Sequence, residues 1–87
     1  MLQANDLGAE LYKTWTASQK RNEIAKLVEG YRGGLPVGIL CNISEVIAGS
    51  RKNARKHLHD MLTLEERQSA VEKETGGMQK IIREFLL

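Results

Sequence analysis

Arg51, Lys52, Arg55 and Lys56 place four cationic side chains within six residues, and no acid interrupts the run up to His59. The chemistry such a cluster offers is neutralisation of a polyanion, because closely spaced ammonium and guanidinium groups concentrate negative charge around them. Ser50 precedes the cluster and Asn53 sits within it, so oxygen and amide groups accompany the charge. Residues for bond-making chemistry are sparse. His57 and His59 lie two apart, so on a helix they point to different sides and do not share a metal. Cys41 is the only cysteine, which excludes an intrachain disulfide and leaves no zinc set. Its apolar neighbours make it a buried small side chain rather than a nucleophile. Gly33-Gly34 lacks the spacing and lysine of a phosphate loop. Glu65 and Glu66 most simply serve a helix N-terminus. No catalytic group, metal or cofactor is expected, and the chain is not expected to be an enzyme.

The distribution of charge says more than the net +2. Residues 1–50 carry five acids and five bases and sum to zero. Residues 51–59 carry the four cations alone, whereas residues 60–77 carry five acids against Arg67 and Lys73, a net of −3. A four-charge cluster by itself reads as a solvated helix face. Its position immediately after a turn is what favours a binding role.

The elements that must position these residues follow from apolar spacing. At 87 residues, 41% hydrophobic and 28% charged, the chain suits a single domain, residues 1–87, with a thin core rather than a disordered tail. Asn5 or Asp6 can cap a first helix with Leu7, Leu11 and Trp15. Thr16 or Ser18 can cap the next, whose Ile24, Leu27, Val28 and Tyr31 follow helical spacing. Arg32-Gly33-Gly34-Leu35-Pro36 ends it. From Val37 to Ile47 the chain is apolar on more than one side. A helix is expected at Ile43–Ile47, and a strand is allowed at Val37–Leu40. Ser50 caps a helix running to about Leu62, with Ala54, Leu58, Met61 and Leu62 on one face and Arg51, Lys52, Arg55, Lys56 and His59 away from it. Thr63 and Glu66 form a capping box for a helix over 64–75. Met78, Ile81, Ile82, Phe85 and Leu86 then repeat as an amphipathic helix. The alternative for this last quarter is a β-hairpin turning at Gly76-Gly77, the wing of a winged helix-turn-helix.

Two short helices meeting at Ala48-Gly49-Ser50 resemble the helix-turn-helix superfamily of DNA-binding proteins over about 20 residues, Leu40 to His59. Family sequences tend to read Ile-Ala-x-x-Leu-Gly-Val-Ser-Arg-x-x-x-x-x-x-Leu. Ile43 and Ile47 match the core positions of the first helix, Ser50 the cap of the recognition helix, and Ala54 and Leu58 its buried face. Ser44, Ala48 and Gly49 depart from the pattern, the glycine being displaced by one position. The resemblance implies an all-α domain built around a helix-turn-helix. It also implies a sequence-specific transcriptional regulator that inserts helix 51–62 into the major groove of double-stranded DNA.

In that role Ser50 and its helix terminus meet a phosphate. Arg51, Lys52 and Arg55 reach base edges or backbone, Asn53 is of the type that reads adenine, and Lys56 and His59 meet phosphates. A single short helix suggests a homodimer on a palindromic site. The C-terminal stripe, or the segment with Leu7, Leu11 and Trp15, would supply the interface unless it closes the monomer's own core. The competing expectation is a helical adaptor or inhibitor that uses the C-terminal stripe against a partner protein. No apolar run is long enough to span a bilayer and no signal peptide is apparent, so a cytoplasmic protein is expected.

Overall fold

The computed structural model describes residues 12–87, and every regular element among them is helical: α1 (Ala17–Arg32), α2 (Val37–Ala48), α3 (Arg51–Met61), α4 (Leu64–Glu72) and α5 (Gly76–Leu86). The first helix expected from Asn5 or Asp6 with Leu7 and Leu11 lies outside the described residues. Trp15 is partly buried, and its ring meets Tyr12 edge-on with centroids 4.7 Å apart.

Thr16 caps α1. Its Oγ1 accepts from the Gln19 N–H at 3.1 Å, while Gln19 Oε1 accepts from the Thr16 N–H at 2.8 Å. This reciprocal pair satisfies two backbone donors that a helix start otherwise orphans. Ile24 and Val28 turn into the core, with Leu27 and Tyr31 half-buried beside them. The helix ends where Gly34 takes φ 120° and the Leu35 N–H reaches back to the Gly30 carbonyl at 2.8 Å.

Pro36 leads directly into α2, so the stretch Val37–Leu40 is helix rather than strand. The buried set Val37, Leu40, Cys41, Ser44, Ile47 and Ala48 shows why. These residues recur at helical spacing over the whole segment, and that pattern outweighs the weak β preference of the branched residues. The helix has more apolar residues than its buried face holds, leaving Ile39 and Val46 each 45% exposed.

Thr63 and Glu66 form the expected capping box of α4, which stops at Glu72, short of residue 75. Gly76 and Gly77 do not turn a hairpin; they open α5. The wing is thereby corrected to helix. Ile82, Phe85 and Leu86 must all face one way to be buried together, as i, i+3 and i+4 allow on a helix, whereas the adjacent Ile81 and Ile82 would face oppositely in a strand. All five helices contribute to one core, in which Ile24, Leu40, Ala54, Leu58, Ala70 and Leu86 are fully enclosed. The C-terminal stripe is therefore used chiefly inside the molecule, with Met78 and Ile81 left 46% and 45% exposed.

Candidate nucleic-acid interface

A two-residue corner sets the direction of the basic helix. Gly49 ends α2 at φ 83°, a left-handed conformation that costs glycine little, and its N–H bonds the Glu45 carbonyl at 3.0 Å. Ser50 is extended, and its Oγ accepts from the Asn53 N–H at 3.2 Å. α3 starts at once with Arg51, so the turn is tight rather than lengthened by the displaced glycine. Ala54 and Leu58, one turn apart and both 0% exposed, fix which side of α3 faces inward.

At 3.6 residues per turn, Arg51, Arg55 and His59 fall along one flank of that buried stripe. Lys52 and Lys56 fall one step further out, and Asn53 and Asp60 on the far side. Arg51 is exposed but tied to the fold: its guanidinium lies 5.8 Å from the Phe85 ring centroid and its Nε 3.9 Å from Glu45 Oε2. Lys52 and Lys56 are exposed, and neither they nor Arg55 forms an ion pair with a described carboxylate. Their charge is thus available to an outside partner. Asn53 is exposed as well, but its amide donates to the Ala48 carbonyl at 3.5 Å, at the end of α2. It therefore sits off the cationic sector.

His59 is half-buried between two arginines. Arg55 Nε lies 3.4 Å from its Nε2, and Arg67 Nη1 lies 3.2 Å from its Nδ1. Burial first, and then the positive charges of Arg67 and Arg55, hold its pKa below the ordinary histidine value. Arg67, on α4, is the functional candidate that sequence reasoning missed. It is one of two bases in the acidic stretch 60–77, so summing charge by segment hid it. Lys20 was missed similarly. With Lys13 and Tyr12 it lines an open cleft of about 520 Å³ that also includes Asn42, Gly49 and Ser50, bringing α1 beside the start of α3.

Cys41 is buried in α2, and burial, with Glu45 adding to it, pushes its thiol up to about 12, so it stays protonated and unreactive. His57 is partly exposed on α3. Among the described residues no group of three or more His, Cys, Asp or Glu side chains could hold a metal ion, and no helix is long and apolar enough to cross a membrane. Another open cleft, about 600 Å³, lies between the end of α1 and α4, where Glu65, Glu66 and Glu74 mix with Arg32 and Lys73; no residue of α3 lines it. The chain matches no known family model, no curated protein and no solved structure.

Proposed function

We propose that this chain is a small DNA-binding protein that lays α3 in the major groove as a helix-turn-helix recognition helix and acts as a transcriptional regulator. The observation that carries the reading is the outward sector of α3. Lys52, Arg55 and Lys56 stand beside a Ser50-capped helix start with no carboxylate partner among the described residues. Lys52, Arg55, Lys56 and His59 serve phosphates, which give affinity and position; Arg51 serves base edges, which give sequence choice. Asn53 reads an adenine only by giving up its bond to the Ala48 carbonyl. One short helix buries little surface, so the regulator works as a homodimer on a two-fold site.

Selection from a random duplex pool at near-physiological salt tests this. The expected result is an enriched palindrome with half-sites about 10 base pairs apart. Replacing Lys52 and Lys56 together by Gln should flatten the dependence of log affinity on log salt by about two, since each phosphate contact contributes roughly 0.9. Arg51→Gln should relax base preference, at about 1–3 kcal/mol for a lost bidentate contact. If the double lysine variant and Arg51→Gln both fold and bind as the parent does, α3 is not the reading element.

A second reading rests on the half-exposed apolar side chains Ile39, Val46, Met78 and Ile81. It makes the chain an adaptor for a partner protein, and failure of every duplex to bind would shift the assignment to it.

A further inference from the structure

Arg55, His59 and Arg67 make a basic cluster with a hydrogen-bonding conflict. Arginine only donates, and a neutral imidazole has one lone pair to accept with. Two guanidinium groups point at the two ring nitrogens of His59, so in either tautomer one of them faces an N–H. Protonating the ring removes the remaining acceptor. Neither arginine has a described carboxylate partner. Arg67 Nε is buried without any partner, and its Nη1 reaches only the Leu86 carbonyl, at 3.5 Å, besides the ring. What would satisfy all three side chains is a group that accepts several hydrogen bonds and carries negative charge.

We propose that Arg55, His59 and Arg67 form the seat for one phosphate of a DNA backbone, with Arg67 of α4 extending the contact surface beyond α3. The inference rests on the DNA-binding reading above. Phosphate oxygens accept from both guanidinium groups, and His59 takes up a proton from solvent to become a third donor. The groups acting on the ring are Arg67 from α4, Arg55 and Asp60 from α3, and the Leu86 backbone from α5. The two arginines oppose that proton in the free protein, and a seated phosphate reverses their effect. Duplex binding is therefore tighter on the acid side of neutrality.

The test follows the His59 ring by NMR through a pH titration of the free protein, of its complex with a duplex, and with inorganic phosphate. Duplex affinity is measured in parallel for the parent, Arg67→Gln and His59→Gln, each checked for folding by circular dichroism. The expected result is an upward movement of the His59 midpoint in the complex. Arg67→Gln should weaken binding several-fold and flatten the salt dependence by about one. His59→Gln should remove most of the pH dependence. Duplex binding with an unmoved His59 midpoint and an unchanged Arg67→Gln salt slope overturns the phosphate seat and leaves the DNA reading standing. No duplex binding, with inorganic phosphate still moving His59, overturns the DNA reading and the backbone as the phosphate source. No response to either overturns both.

Discussion

Ser44 is fully buried in α2, and its hydroxyl has no hydrogen-bond partner. In the proposed helix-turn-helix register it stands where such proteins usually pack a small apolar residue. A buried donor left unpaired carries a desolvation penalty of about 1–3 kcal/mol. Ser44→Ala removes the hydroxyl without opening a cavity of any size, so it should raise unfolding free energy by about 1 kcal/mol, read from chemical denaturation. Loss of stability would mean that the hydroxyl is satisfied in solution. At this scale the sequence exposes side chains that act on their own backbone. Ser50 as a cap and Thr63 with Glu66 as a capping box are readable because each bond spans three residues. Arg67 is not readable, because its significance comes from His59, eight residues away on another helix, and from the end of α5.

Among the elements, the α2–α3 corner governs how the basic helix is presented. Gly49 at φ 83° meets nothing within 4 Å where a Cβ would stand, so substitution is resisted by backbone strain alone. Gly49→Ala should cost about 1–2 kcal/mol, while Gly49→Asn, which tolerates this conformation better, should cost less. Thermal denaturation of the two variants checks the order. Equal losses would point to a steric cause instead. The helical reading of the last quarter was available from Met78, Ile81, Ile82, Phe85 and Leu86, whose spacing matches a helix. The extent of α2 was less legible. Its branched residues satisfy strand and helix patterns alike, and only packing against the other helices selects which of them turn inward.

At the scale of the molecule, a polar clasp ties α1 to the start of α4. Arg32 Nε and Nη2 donate to the two oxygens of Glu66 at 3.0 and 3.1 Å. Nη2 also reaches the Met61 carbonyl, and Nη1 reaches Glu29. Glu66 simultaneously accepts from the Thr63 N–H. The Arg32 hydrogen bonds, supported by Thr63, hold the Glu66 carboxyl down to about 2. A carboxylate depressed in the folded state stabilises it above the ordinary carboxylate value, and that contribution fades as pH falls towards about 2. Glu66→Gln should therefore be less stable than the parent near neutrality, with the gap closing in acid. Denaturant midpoints between the ordinary carboxylate range and pH 2 measure it, and a constant gap would show that the clasp is not the source. Local patterns cannot reveal a pair 34 residues apart, so this tie was invisible in the sequence although each partner's helix was legible.

α5 leaves the ribosome after the four other described helices, and they depend on it. Its first two residues are glycines and Thr75 makes no side-chain cap, so little local preference starts this helix. Yet it brings Ile82, Phe85 and Leu86 to the core, the Phe85 ring to Arg51 and the Leu86 carbonyl to Arg67. A nascent chain released from the ribosome only as far as Thr75 has the basic helix in hand but neither the apolar wall behind it nor the contacts that aim Arg51 and Arg67. Until α5 emerges, positive charge and uncovered core occur together, the condition in which a nascent chain sticks to nucleic acid without discrimination.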